Sequence, residues 1–453
     1  MSAQNKALHG RKVLFANFPA DGHFNPLTGL AVHLKWMGCD VRWYTSSHYA
    51  PKLRKLGIQH YPLIKAVDAS DLENSFPERF KIKNQIKKLR YDMIHAFVLR
   101  GSEYYEDLKD IHEEFPFEAV IADCAFTGIP FIKDKMGIPV LSIGVMPLTE
   151  TSVDLPPAGL GLTPSRHWAG RLFHRLLRKL ADRIIFGEPN RVMWKMLDEY
   201  GIDHGRSSLF DMVIKKSSLH LQSGTASFEY RRSDLGSNIR FIGSLLPFRN
   251  GAQAGAWYDP RLQEYAEVVL VTQGTVEKDV DKLLIPTLEA FRGSDTLVVA
   301  TTGGSQTSEL RQRFNEPNFI IEDFIPFADV MPYAHVFVSN GGYGGVMLGI
   351  EYGLPLVVAG VHEGKNEINA RIGYFKLGIN LKTERPRPEK IREAVDAVFN
   401  NSSYRENVAA LRQEFSKYDP AQLCATYLKE VLEARERQKP VKNLRVVSKA
   451  TVG

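Results

Sequence analysis

The sequence predicts an α/β protein made of two facing, doubly wound parallel-sheet domains of Rossmann-like type, and two observations predict it. Short runs rich in Val, Ile, Leu and Phe recur along the chain, each ending in small or polar residues and followed by a helical pattern. Continuous apolar strands alternating with helices belong to parallel sheets covered on both faces. These runs also fall into two groups, one before about residue 150 and one after about residue 265.

The first group comprises KVLFANFP (12–19), CDVRWYTS (39–46), EAVIADCA (118–125) and PVLSIGV (139–145). The second comprises EVVLVTQGT (267–275), TLVVATTGG (296–304), HVFVSNGG (335–342) and PLVVAG (355–360). Between them PFRNGAQAGAWYDP (247–260), rich in Gly, Ala and Pro, reads as a linker. The expected organisation is a first domain over 1–245, a linker over 246–260, a second domain over 261–430, and a helix end with a basic tail over 431–453. The final helical pattern, Ala421 to about Gln438, is expected to pack back across the domain boundary.

Composition narrows the function classes. At ~150 residues per domain, 453 residues suggest three domains, although α/β folds often make two larger ones. A hydrophobic content of 44% excludes intrinsic disorder. Most of the net charge of +6 sits in the tail, where Arg435, Arg437, Lys439, Lys442, Arg445 and Lys449 stand against Glu436. A nucleic-acid binder carries its positive charge as a patch on the folded domain, so no nucleic-acid partner is expected. The N-terminal residues hold no signal-peptide pattern and no run reaches the ~18 apolar residues of a membrane span, so integral membrane association is not expected. Cys39, Cys124 and Cys424 are widely spaced without a CxxC pair, which argues against a disulfide framework and a structural zinc site and fits a cytoplasmic protein. A basic stretch from His167 to about Tyr200 interleaves Arg171, Arg175, Arg178, Lys179 and Arg183 with Leu172, Phe173, Leu176 and Leu180. Such spacing suits an anionic membrane surface. The favoured reading is an ordinary amphipathic helix with a solvated face.

In doubly wound sheets ligands bind beyond the carboxyl ends of the strands, so the residues just after each strand carry the chemistry. The first strand is followed by Gly22-His23-Phe24-Asn25-Pro26, and Pro26 suits a first helical turn, placing His23 at the mouth of the cleft. Asp123 ends the strand EAVIAD at the same sheet edge. If the two strands are close, Asp123 orients one imidazole nitrogen and leaves the other as a base; the alternative is that Asp123 caps the turn after it. The second domain places Gly274-Thr275, Gly303-Gly304 and Gly341-Gly342-Tyr343-Gly344-Gly345 after its strands. Glycines there let backbone N–H groups and a helix N-terminus approach a diphosphate, but tight helix-on-strand packing needs glycine too. No GxGxxG is present, which disfavours dinucleotide oxidoreductases. Asp279-Val280-Asp281 resembles a metal motif but is expected in the first turn of a helix, where acidic residues are favoured anyway.

Over nearly its whole length the chain resembles family 1 glycosyltransferases of the GT-B fold, especially bacterial macrolide- and flavonoid-type enzymes. The matching features are Gly22-His23-x-x-Pro26, Asp123, Gly274-Thr275, Phe324-Ile325-Pro326, and the stretch SNGGYGGVMLGIEYGLPLVVAG running on to Asn369-Ala370. The resemblance implies an inverting, metal-independent transfer of a sugar from a nucleotide-diphosphate donor to a small-molecule acceptor, with no cofactor. His23 would take the acceptor proton and Asp123 would stabilise the imidazolium. Gly274, Thr275, Gly341, Gly342, Gly344 and Gly345 would surround the diphosphate, Phe324 would stack on the base, and the Ile325 backbone would bond its edge.

Several positions depart from the family pattern. Asn340 replaces the His that touches phosphate, Gly345 replaces a Ser, and Leu348 replaces the Glu that grips the ribose, which favours a deoxythymidine donor. The sugar-reading Asp-Gln pair gives way to His362-Glu363-Gly364-Lys365-Asn366-Glu367, where Glu363, Lys365 and Asn366 would meet the sugar from other positions. A hexose other than glucose is therefore expected, with L-rhamnose from dTDP-rhamnose first and UDP-glucose as the alternative. Phe76, Phe80, Tyr91, Met93 and Phe97, in an insertion-like region about residues 66–115, suggest a flat aromatic, flavonoid-like acceptor. Competing readings are a nucleotide-sugar epimerase using His362 and Glu363, and a catalytically inactive partner protein; the oligomeric state is left open.

Overall fold

The computed structural model describes residues 7–248, 257–274 and 277–438. Its strands form two sheets. The first contains β1 (Lys12–Ala16), β2 (Asp40–Tyr44), β3 (Gln59–Tyr61), β4 (Ala119–Asp123), β5 (Val140–Gly144), β6 (Leu219–Gln222) and β7 (Ile239–Phe241), in the spatial order 3-2-1-4-5-6-7. The second contains β8 (Glu267–Thr272), β9 (Thr296–Thr301), β10 (Phe319–Glu322), β11 (Val336–Ser339), β12 (Leu356–Val358) and β13 (Gly378–Asn380), in the order 10-9-8-11-12-13. Neighbouring strands pair in parallel throughout both sheets. The chain therefore reverses its direction of winding between β1 and β4, and again between β8 and β11. Those two switch points are where ligands enter such sheets.

The eight apolar runs become β1, β2, β4, β5, β8, β9, β11 and β12. Their residues are almost all buried because helices cover both sheet faces. The other strands have only three or four residues and lie at or next to a sheet edge, too short to stand out by composition. In β6 the buried positions include His220 and Gln222, which read as surface residues. His220 shares a 2.9 Å hydrogen bond with Ser142 Oγ, Gln222 Nε2 donates to the Met146 carbonyl at 2.8 Å, and burial pushes the imidazole down to about 4.

Three further expectations meet the structure differently. The Asp279-Val280-Asp281 segment lies in a turn ahead of the helix Leu284–Ala290 rather than in its first turn, and Asp279 pairs with Arg385. Most of the linker (249–256) and the basic tail (439–453) lie outside the described residues. The basic stretch forms the helices Trp168–Ile184 and Gly187–Glu199, but the solvated face of the first is apolar as well as charged. Trp168, Leu172, Phe173, Leu176, Leu180 and Ile184 are exposed, while only His174 and Ala181 are buried. None of the helices among the described residues is long and apolar enough to cross a membrane.

The final helix, Pro420–Gln438, returns to the first domain. Cys424, Ala425, Leu428 and Leu432 enter the same apolar cluster as Leu30, Leu34, Val13 and Trp43. Arg11 bridges Glu118 and Glu436, each at 2.6 Å, and Arg435 donates to the Glu118 carbonyl at 2.8 Å. Apolar burial dominates this docking, because part-exposed ion pairs contribute at most about 1 kcal/mol. Leu428, with no exposed surface, should therefore cost about 3 kcal/mol when cut to Ala. Arg11→Ala should stay within about 1 kcal/mol; denaturant titration of both variants checks the ranking.

Candidate active site

The first half of the site is built at the β1/β4 switch point. Asp123 is the last residue of β4 and is completely buried. Its Oδ1 accepts the Phe18 N–H at 2.7 Å, and its Oδ2 accepts both the Ala125 N–H at 2.9 Å and a hydrogen bond from His23 Nδ1. The turn-capping and orienting roles of Asp123 thus coexist in one carboxylate. His23 lies in the short helix Asp21–Phe24 after β1, ahead of the 3₁₀ turn Asn25–Leu27 that holds Pro26. With Nδ1 tied to a buried carboxylate, Nε2 is the nitrogen left to act on a substrate proton.

An aromatic wall stands beside the imidazole. The Phe18 ring meets His23 edge-on with centroids 5.6 Å apart and stacks on Phe97 at 4.4 Å. Phe76 and Ala96 are buried in the same cluster, with Tyr91 packed against it. Two residues of the insertion-like region lie elsewhere: Phe80 is exposed and Met93 is buried outside this cluster.

The second half forms at the β8/β11 switch point. Gly274 follows β8 with φ +80 and donates its N–H to Thr272 Oγ1; Thr275 lies outside the described residues. Asn340 follows β11, and its amide donates to the Gln273 carbonyl while its Oδ1 accepts the Gly342 N–H at 3.3 Å. Asn340 therefore ties the ends of β8 and β11 together. The helix Tyr343–Glu351 starts from Gly342 with no side-chain cap, and a Cβ on Gly344 would meet nothing within 4 Å. Gly341 differs: at φ +83 a Cβ would fall 1.8 Å from Asn369 Oδ1. Gly345 is half-buried in the helix's first turn.

Lys365 opens the helix Lys365–Tyr374 and pairs with Glu363 at 2.7 Å. Glu384 braces the preceding loop by accepting the N–H groups of Val361 at 2.7 Å and His362 at 2.8 Å. Burial alone would raise the Glu384 carboxyl, but these two donors outweigh it and hold it below the usual range. Phe324 is 67% exposed beside Gly304, whereas its neighbour Ile325 is buried. Asn366 is tied to a loop of the first domain: its amide donates to the Gly159 carbonyl at 2.6 Å and its Oδ1 accepts the Glu367 N–H.

A set of residues with no motif joins the two halves. Arg371 donates to Glu229 of the first domain through Nε at 3.0 Å and Nη2 at 2.5 Å, lies 4.3 Å from the Tyr230 ring, and holds Glu367 at 3.1 Å. Glu367 in turn accepts the N–H groups of Gly159 and Gly161. Burial alone would raise the Glu229 carboxyl, but Arg371 and Arg232 overcome it and keep it below the usual range. Tyr343, in the glycine turn, donates its hydroxyl to the Ser223 carbonyl at 2.8 Å. The Tyr343–Ser223 and Arg371–Glu229 bonds thus hold the second domain against residues just beyond β6 of the first sheet. Only the small or charged character of these bridging residues was visible beforehand, and that is no signal for a contact 142 residues apart.

The two glycines allow a direct test. Gly341→Ala should lose about 2 kcal/mol or more through left-handed strain and collision with Asn369. Gly344→Ala, lacking both, should be neutral or gain up to about 1 kcal/mol from helix propensity. Equal stabilities in denaturant titration would remove the packing account of Gly341.

Comparisons with known proteins agree with this fold. The family model described as Erythromycin biosynthesis protein CIII-like, C-terminal domain, matches residues 286–430. The 4'-demethylrebeccamycin synthase of Lentzea aerocolonigenes is 34% identical over 413 residues, which covers 90% of this chain and 97% of that protein. UDP-glucosyltransferase 1 of Beauveria bassiana is 30% identical over 428 residues, covering 90% of this chain and 92% of its own. The solved structure of the glycotransferase of kitacinnamycin shares the two-domain fold with a TM-score of 0.72 at 19% identity, over 94% of this chain and 100% of that one. By identity, coverage and fold, the chain belongs to the family 1 glycosyltransferases of the GT-B fold, of the erythromycin CIII-like type.

Proposed function

We propose that the protein moves a hexose, with inversion and without a metal, from a nucleoside diphosphate sugar to a hydroxyl of a flat aromatic acceptor. The observation that carries the reading is the hydrogen bond from His23 Nδ1 to the buried Asp123 at the mouth of the first sheet. His23 Nε2 removes the acceptor proton as the acceptor oxygen bonds to the anomeric carbon. The bond from that carbon to the diphosphate breaks on the opposite face, and the diphosphate leaves with the electron pair. Asp123 stabilises the imidazolium so formed. The uncapped N-terminus of Tyr343–Glu351, the open surface at Gly344 and the Lys365 ammonium supply positive potential for the leaving diphosphate. Phe324 offers an uncovered face to the base, and the Phe18–Phe97 wall suits a planar, flavonoid-like aglycone.

Two observations bear on the donor. Leu348 is almost fully buried in an apolar cluster and offers a ribose no acceptor, which favours dTDP-rhamnose. A missing hydroxyl contact of that kind is worth only about 1 kcal/mol, however, and lowers affinity for a ribonucleotide without excluding it. Asn366, one of the residues expected to meet a sugar other than glucose, already spends one amide N–H on Gly159. The name of the Beauveria bassiana relative also supports a UDP-glucose donor. UDP-glucose is the donor we favour.

Two measurements test this reading. His23→Ala should lower kcat by about 10³-fold while leaving donor affinity by calorimetry within about twofold; turnover near the unmutated value would remove His23 as the base. In a panel of UDP- and dTDP-sugars against a phenolic acceptor, read by mass, UDP-glucose should give the fastest transfer. Faster transfer from dTDP-rhamnose would reverse the donor assignment.

A further inference from the structure

The helix Trp168–Ile184 exposes the wrong side chains for a purely solvated surface element. Trp168 is 74% exposed, Leu176 58%, Phe173 55% and Leu180 52%, with Leu172 and Ile184 also exposed. At 3.6 residues per turn these six cover roughly 160° of the circumference, largely opposite the buried His174 and Ala181. Arg171 and Arg175 border the arc, and Lys179 and Arg183 fall within it, all four exposed. Arg178 is committed elsewhere, donating to the carbonyls of Val153 and Leu155. Through that bond the helix is fastened to the loop leaving the C-terminal end of β5, where Val153 is itself 63% exposed. At the other end Arg90 donates to the Ile184 carbonyl. This brings up the helix Gln85–Asp92, whose Ile86 and Leu89 are exposed alongside Lys87, with Lys88 half-buried.

We propose that this face docks the protein on an anionic lipid bilayer surface, with the apolar arc in the headgroup boundary and the basic side chains on lipid phosphates. A continuous apolar patch of this kind marks an interaction surface, and charge decides which. Between Arg166 and Ile184 the chain carries six cations against Asp182 alone. A second copy meeting this face across a two-fold axis would oppose those cations with its own, which is repulsive. An anionic bilayer complements both the apolar arc and the charge. Lys179 and Arg183, inside the arc, carry long apolar stems that extend their ammonium and guanidinium groups to headgroup level. His23, Asp123 and the glycine turn supply none of the side chains of this face, so the docking does not rest on the donor reading.

Flotation of the full chain with phosphatidylcholine vesicles, with and without about 30% phosphatidylglycerol, tests it. Binding should be at least about tenfold stronger to the anionic vesicles and should weaken as salt rises. The double variant Leu172→Glu, Leu176→Glu should lose at least about tenfold in partitioning with an unchanged thermal midpoint, since both side chains are exposed. Absence of binding to anionic vesicles, or equal binding by the double variant, would overturn the proposal. So would light scattering that shows a dimer dissociated by the same substitutions, because the face would then belong to a second copy.

Discussion

The Arg371–Glu229 ion pair is the contact on which the site depends, because the His23–Asp123 pair sits on one sheet and the glycine turn on the other. Both partners are buried, and their neighbours Arg232, Glu367 and Tyr230 complete a network across the domain boundary. Taking such charges out of water is costly, so the pair adds little net stability. Its effect is on specificity of arrangement. Losing one partner leaves the other with a single remaining counter-charge, Arg232 for Glu229 or Glu367 for Arg371, a penalty of up to about 3–5 kcal/mol while it stays buried. The Tyr343 hydroxyl on the Ser223 carbonyl adds a second tie at the glycine turn itself.

The division of labour between the sheets follows from electrostatics. In the proposed reaction proton removal needs a base whose orientation is held by a buried anion, and Asp123, with three hydrogen bonds at the end of β4, is placed to do this for His23. Stabilising the proposed departing diphosphate needs the opposite, for which the uncapped N-terminus of Tyr343–Glu351 and the open surface at Gly344 are suited. A carboxylate and a diphosphate side by side would repel. Placing each at its own switch point keeps them apart while letting a sugar lie between.

The legible part of this protein was the part set by local physics. His23, Asp123, Gly274 and Asn340 could be placed from sequence because each follows a central strand whose apolar run is continuous, and chain order alone then sets the sheet edge at which it emerges. β3, β7, β10 and β13 escaped notice because three or four residues at a sheet edge bury too little to leave a pattern. β6 was hidden for another reason: its buried His220 and Gln222 are satisfied by Ser142 and Met146, partners from a different segment. The bond from the Asn366 amide to the Gly159 carbonyl left no mark in the sequence because its two ends lie 207 residues apart. The spacing in Trp168–Ile184 showed an amphipathic helix but not which face the protein would cover.

The returning helix Pro420–Gln438 has a consequence for how the chain assembles. Cys424, Ala425, Leu428 and Leu432 fill a cluster whose other buried members all come from residues 8–245, and Glu436 meets Arg11. During synthesis the second domain can complete its own sheet as soon as residue 380 has emerged, since β13 ends there. The first domain, although made earlier, keeps an open apolar groove until the last helix leaves the ribosome. The half of the enzyme translated first is therefore the half whose core closes last.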